Sequence, residues 1–391
     1  MTPARFMTPA SLVLDSSSSW RSTGHGADYI LITHSQFYSA TLELAQYREA
    51  QGLRVAVVKV EDLYDEFNWG IFNPQAIRDF LAYAYANWTS PAPVYVLLVG
   101  GASYDYRDKL SDVDRVNYVP TQMIETFLLG QTASDNWFVE VAGNDQLPDM
   151  LLGRLTAESV SEVNDVIDKV IAYDQNPPGA GWNNRALFVA DDEAQFETSS
   201  EQVLSPIYPF LQVDKVYVGQ YPQGADPTAD ISAKINAGRA FVNYLGHGDP
   251  KSWGGTIFDT KDVADLTNIQ LFPVVTIGNC LSGFFVGRAK PSLAEEFLKR
   301  SDRGAVAVWA PTGLGINTGH QALIEEFYNT IFYAGVHGLG AATTTAKINL
   351  DAQGGFWGEL VETYVLFGDP ATQVVVPERS LLYLPAMVRG N

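Results

Sequence analysis

The sequence predicts an α/β fold in which two tandem open, mainly parallel sheets are flanked by helices. Three observations carry this. Short apolar runs of strand character alternate with segments of helical spacing along most of the chain, the pattern of parallel strands joined by crossover helices. One proline- and glycine-rich segment, Asn176-Pro-Pro-Gly-Ala-Gly181, divides that alternation in two. With 391 residues and 46% hydrophobic content, the chain can bury a core sufficient for about two domains of the usual ~100–200 residues each.

The elements follow in order. Tyr29-Ile-Leu-Ile-Thr33, Leu53-Arg-Val-Ala-Val-Val-Lys-Val60 and Val94-Tyr-Val-Leu-Leu-Val-Gly100 read as strands, separated by helical spacing around 39–51 and 74–88. A loop-rich insert covers 102–147. A short strand at Met150-Leu-Leu-Gly153 and a helix from Ser159 to Tyr173, with Val163, Ile167, Val170 and Ile171 on one face, complete the first series. Beyond the linker, strands are expected near 186–190, 214–218, 240–244, 274–277 and 304–309, with helices around 198–211, 228–237, 291–300 and 319–333. The division expected is an N-terminal extension over 1–27, a first α/β subdomain over 28–176, a second over 182–376 and a C-terminal tail over 377–391.

Net charge is −20 although only 18% of residues are charged, so the surface is acidic; nucleic acid and anionic membranes are disfavoured as partners. No apolar run reaches the ~20 residues of a membrane span. The N-terminal decapeptide lacks the apolar core of a secretory signal, so the chain reads either as cytosolic or as part of a longer secreted protein. Neither a Gly-x-Gly-x-x-Gly turn, a phosphate loop nor a His-Glu-x-x-His occurs, and no cofactor is required by any motif. Asp112, Asp114 and Asn117, and Asn144 with Asp145, offer oxygen ligands of the kind a structural calcium ion takes, without the full calcium-loop spacing. Asp135 and Arg154 are expected to form a structural ion pair.

The chain holds a single cysteine, which excludes an internal disulfide. Cys280 follows the apolar run Phe272–Gly278, and His247 follows Ala240–Gly246 in the same manner. In open parallel sheets reactive groups collect beyond the carboxyl ends of the strands. His247, Cys280 and the acidic trio Asp191-Asp192-Glu193 all fall at such ends, and a cysteine with a histidine from a neighbouring strand is a candidate nucleophile and proton-transfer pair. Gly246, Gly248 and Gly278 are read as allowing sharp turns that expose main-chain N–H groups; those of Gly248 and Cys280 are assigned to an oxyanion hole. Imidazole and the N-terminus of a following helix would both favour the thiolate. An unpaired cysteine after a buried strand is more often simple core, and Gly24-His25-Gly26 repeats the triplet before a strand, where His25 is expected to be a solvated tail residue.

Asn243-Tyr-Leu-Gly-His-Gly-Asp249, Trp253, Leu266-Thr-Asn268 and Ile277-Gly-Asn-Cys280 together resemble the gingipain-type cysteine peptidases, within the larger clan of caspases and legumains. Val94–Gly101, Ser134-Asp-Asn-Trp137, Val141–Asp145, Gly153-Arg-Leu155, Asp168–Tyr173 and Leu366-Phe-Gly-Asp-Pro370 resemble family segments in family order, so the resemblance covers roughly residues 28–376. It implies that the second subdomain is caspase-like and that the protein is a cysteine endopeptidase acting through a His247–Cys280 dyad and an acyl-enzyme. Glu193 or Asp192 would assist His247. Family members that cleave after Arg or Lys hold the basic side chain with a buried acid, a role open here to Glu197 or Glu201, although acids in a first helical turn also favour the helix dipole. Trp253 and His320 are the other pocket candidates. The resemblance further implies a protein or peptide substrate and an extracellular or cell-surface setting. A sortase-like transpeptidase of the same family keeps the chemistry with an amine acceptor; a non-catalytic α/β binding or assembly module keeps only the fold.

Overall fold

The computed structural model describes residues 16–376 apart from 108, 176–180, 223 and 289. All but the last residue of the expected linker, and the whole C-terminal tail, lie outside the described residues.

The first half runs β1 (Tyr29–Thr33), α1 (Tyr38–Ala50), β2 (Val55–Lys59), α2 (Val60–Asn68), α3 (Pro74–Asn87), β3 (Tyr95–Val99), the hairpin β4 (Gln122–Thr126) and β5 (Gly130–Ser134), β6 (Leu151–Leu155) and α4 (Val160–Gln175). The second runs β7 (Arg185–Ala190), α5 (Ala194–Leu204), β8 (Gln212–Tyr217), α6 (Thr228–Asn236), β9 (Phe241–Leu245), a short hairpin β10 (Ser252–Trp253) and β11 (Phe258–Asp259), and α7 (Thr260–Ala264). It continues with β12 (Val274–Gly278), α8 (Leu293–Lys299), β13 (Ala307–Pro311), α9 (Asn317–Phe332), α10 (Leu339–Ala352), α11 (Gly358–Thr363) and β14 (Tyr364–Phe367). Local chemistry explains the starts. Asn73 accepts a hydrogen bond from the Gln75 N–H with Pro74 in the first turn of α3, and Asp259 with Asp262 and Ser292 with Glu295 close capping boxes on α7 and α8. Strands β1, β9, β12 and β13 are buried along their whole length, because helices cover both faces of a parallel sheet.

The α/β class and the helix-flanked, mainly parallel sheet are as expected, and the two half-sheets are continuous. The order β2-β1-β3-β6-β14-β13-β12-β9-β7-β8 makes one ten-stranded sheet, parallel except where β14 runs against β13. The seam is β6 against β14, with Phe367 opposite Arg154. A Cβ on Gly153 would lie 2.2 Å from the Gly368 carbonyl oxygen, so the backbones meet there only because residue 153 has no side chain. Buried polar groups pin the seam. The Asp369 carboxylate accepts from the Tyr29 hydroxyl at 2.7 Å and from Arg48 Nη2 at 2.6 Å. Asp135 and Arg154 form the expected ion pair, 2.6 Å and 2.9 Å in a fork, and the Arg154 guanidinium also donates to the carbonyls of Gly100, Val119 and Pro120.

Two expectations are corrected. The described part of the segment assigned to an extension, residues 16–27, packs on the first half: the Trp20 ring meets Phe80 and Trp88, its indole N–H donates to Asp62 at 3.2 Å, and its main-chain N–H donates to Glu66. His25 is accordingly half-buried between Trp20 and Trp88 rather than solvated, because two indoles offer more apolar contact than a free tail. No described helix is long and apolar enough to cross a membrane. The candidate calcium ligands Asp112 and Asp114 are paired with Arg288 at 2.7 Å and Lys290 at 3.2 Å, and among the described residues no group of three or more His, Cys, Asp or Glu gathers as a metal site.

Candidate active site

Three neighbouring strands bring the chemistry to one edge of the sheet. In the parallel register Ala190 of β7 faces Leu245 of β9, which faces Gly278 of β12. His247 and Cys280 therefore stand two residues past paired positions, and Glu193 three residues past its own. The three predicted groups leave adjacent strand ends in step.

Glu193 Oε1 lies 2.9 Å from His247 Nε2. The hydrogen bond from His247, then one from Gln195, hold the Glu193 carboxyl below the usual glutamate range. Phe196, in the first turn of α5, sets its ring edge-on to the imidazole with centroids 5.1 Å apart. Asp192 is exposed, and its N–H donates to the Asp191 carboxylate at 2.8 Å; the contact with His247 belongs to Glu193. Asp191, which the sequence did not single out within its trio, is buried and accepts from the His247 N–H at 2.9 Å, fixing the loop that carries the imidazole.

The glycines serve close packing rather than positive φ. Gly246, Gly248 and Gly278 are absent from the positive-φ positions; a Cβ on Gly248 would lie 1.9 Å from Asn279 Nδ2, one on Gly246 2.2 Å from the Tyr244 hydroxyl, and one on Gly278 2.4 Å from a Leu245 methyl. The turn is made instead by Leu281, whose φ of 66° is strained for a branched residue by ~1–3 kcal/mol. Among the described residues no protein acceptor takes the N–H of Gly248 or of Cys280. The expected helix does not follow Cys280 directly. The next helix, α8, starts at Leu293, and its first amides tie the two loops together: Leu293 donates to Pro250 and Ala294 to Ser282. Dipole activation of the thiol by a following helix is thus withdrawn.

Cys280 is partly accessible, and its thiol donates to the Gly315 carbonyl at 3.8 Å. Behind it, His320 and Tyr364 are buried, with imidazole Nδ1 2.5 Å from the Tyr364 hydroxyl, whose hydrogen goes to the Ile277 carbonyl at 3.1 Å. His320 therefore backs the cysteine loop and does not line a pocket. Burial pushes its pKa from 6.5 to about 4. The unfolded chain then binds a proton between those values that the folded chain does not, so stability falls as pH drops from 6.5 towards 4, by on the order of 3 kcal/mol in full. Urea unfolding across that range should show the loss, and His320→Gln should flatten it; an unchanged acid limb in the variant would remove His320 as its source.

The other pocket candidates are also relocated. Trp253 is fully buried and stacked on Tyr244 at 4.6 Å, where it supports the His247 loop from inside. Glu201 is neutralised by Lys215 at 2.5 Å and bonded to Tyr208 and Tyr217. Glu197 remains, half-buried and bonded to neutral Gln220 at 2.8 Å. A signal for Asp191 was available: it immediately follows a run that is apolar from Ala186 to Ala190, where a carboxylate can cap the neighbouring loop.

The family model described as Peptidase family C25 matches residues 22–375. Gingipain R1 of Porphyromonas gingivalis is 25% identical over 383 residues, covering 92% of this chain and 35% of that protein; gingipain R2 of the same organism is 25% identical over 386 residues, covering 93% and 48%. The chain thus spans about a third to a half of the length of these relatives. The crystal structure of the Arg-specific cysteine proteinase gingipain R superposes with a TM-score of 0.76 at 22% identity, over 90% of this chain and 78% of that one, which establishes the shared fold.

Proposed function

Since the chain belongs to peptidase family C25, we propose that it is a cysteine peptidase that hydrolyses peptide bonds with Cys280 as nucleophile and His247 as proton-transfer group. The observation that carries this is the in-register delivery of His247 and Cys280 from neighbouring strands, with Glu193 bonded to the imidazole. His247 takes the thiol proton as Cys280 Sγ attacks the scissile carbonyl carbon, and the N–H groups of Gly248 and Cys280, which no acceptor takes among the described residues, receive the developing oxyanion. As the tetrahedral intermediate collapses, His247 protonates the departing amine and leaves an acyl-enzyme. His247 then takes a proton from water, whose oxygen attacks the thioester; the acid leaves, and the departing thiolate takes that proton back from His247. Glu193 orients His247 through its 2.9 Å contact with Nε2.

Alkylation of the single thiol tests the nucleophile directly, since no other cysteine competes. Labelling that follows loss of peptidase activity supports the reading; full activity after complete labelling would sink it. Because the Glu193 contact is solvent-exposed, Glu193→Gln should lower kcat/KM only about fivefold. The loss should fall on kcat rather than on KM, a split that a structural role alone would not produce.

Relatives carry the names gingipain R and Lys-gingipain, and a solved relative is described as Arg-specific. For this chain a basic residue before the scissile bond rests on Glu197, now that Glu201 is neutralised. Profiling with Glu197→Gln as control decides it: loss of a basic preference supports Glu197, and an unchanged or apolar preference discards it. Family membership also carries an extracellular or cell-surface setting.

A further inference from the structure

Four of the exposed large apolar residues converge on one groove: Phe127 and Leu128 at the turn of the β4–β5 hairpin, Ile316 before α9, and Phe356 before α11. Phe127 and Phe356 are almost fully exposed, at 93% and 102%. A soluble chain rarely leaves such side chains facing one depression without a use for them. The groove encloses about 1230 Å³, floored by Trp137 and Trp357.

Its walls are held in place without an occupant. The Phe127 N–H donates to the Glu359 carboxylate, joining hairpin turn to α11, and Gly130 at φ 83° lets the hairpin close. Arg78 lies over the Trp137 ring at 4.5 Å and donates to the Glu140 carbonyl at 2.7 Å. Such preorganisation lowers the ordering cost of binding.

Charge and continuity identify the occupant. Glu125, Glu140 and Glu359 line the groove against one cation, Arg78, in a chain of net charge −20; burial and the neighbouring Glu140 push the Glu362 carboxyl up to about 8, so it adds no charge there at neutral pH. A second copy would bring the same acidic surface and be repelled, whereas a basic peptide would be attracted. Gly315 both lines the groove and accepts the Cys280 thiol hydrogen bond, so the groove opens from the reaction centre past Ile316.

We propose that this groove binds an aromatic or large aliphatic side chain of a basic peptide substrate, at a position beyond the residues flanking the scissile bond. The proposal rests on the peptidase reading. It makes the protein selective for a sequence feature distant from the cleaved bond, with Phe127 and Phe356 as the specificity-determining residues.

The test walks a single Phe along otherwise Lys-, Gly- and Ser-containing peptides on both sides of one cleaved bond. One position should raise kcat/KM about tenfold or more over Ser, the scale of filling one apolar pocket. Phe127→Ser and Phe356→Ser should each erase that advantage and leave turnover of a short peptide, ending before the groove, unchanged. Both side chains are exposed, so neither change removes core. In parallel, the Cys280→Ala protein should bind the favoured peptide more tightly than its Ser counterpart, read by the fluorescence of Trp137 and Trp357. Preferential binding without cleavage by the unaltered protein keeps the groove and sinks the peptidase reading. Equal rates at every position with equal binding overturns the groove, as does a dimer that Phe127→Ser dissociates.

Discussion

Peptide hydrolysis by Cys280→Ala should fall by about 10⁵-fold or more, to background, because no neighbouring group can replace the thiolate. The nearest hydroxyl on the same loop, Ser282, is buried and accepts from Asn279 Nδ2 at 2.8 Å. Folding should be untouched. Cys280 is partly accessible and, among the described residues, its thiol makes one polar contact, a long bond to Gly315, so the change should move stability by less than about 0.5 kcal/mol. Activity assays and thermal melts on the same preparation separate the two effects. His247→Ala should approach the same loss, and the double variant should be no worse than Cys280→Ala alone, because the two groups serve one reaction. Residual hydrolysis within about tenfold of the unaltered protein in Cys280→Ala would end the nucleophile assignment.

Arg154→Met should destabilise the fold by ~3–5 kcal/mol, the largest effect expected from a residue outside the site. Arg154 is fully buried where the two half-sheets meet, with a forked pair to Asp135 and three carbonyl acceptors. Removing the guanidinium leaves the Asp135 carboxylate buried without its counter-ion. Asp135→Asn in the Arg154→Met background should recover part of the loss, since it removes that stranded charge. Urea midpoints for the two single variants and the double variant form the cycle that reads the coupling. Additive losses would show that the pair is not coupled and that packing alone accounts for the cost.

Much of this was legible in the chain. Apolar runs between helical segments marked nearly every central strand, since strands buried on both faces must be apolar throughout. The half-sheets joined where periodicity was silent: β14 is four residues long, too short for a pattern, and α11 leads into it without a loop. The pair Asp135–Arg154 was readable as structural, because charges set beside apolar strands must find each other. His25 was misread because its partners, Trp20 and Trp88, are far apart in sequence and meet only through α3. Trp253 and His320 were misplaced for a related reason. Spacing locates a residue near a strand end without saying whether its side chain turns to the cleft or to the core.

Sequence alone determined the α/β class, the single thiol, and the delivery of His247, Cys280 and an acidic residue to strand ends, because these follow from local pattern and from the chemistry of residue types. Tertiary structure alone decided that Glu193, not Asp192, meets the imidazole, that buried Asp191 fixes the His247 loop, and that Glu201 is spent on Lys215. It also gathered Phe127, Ile316 and Phe356 from three distant segments into one groove. Adjacent carboxylates are chemically alike, and their roles diverge only through direction and neighbours, which are set when separate segments pack together.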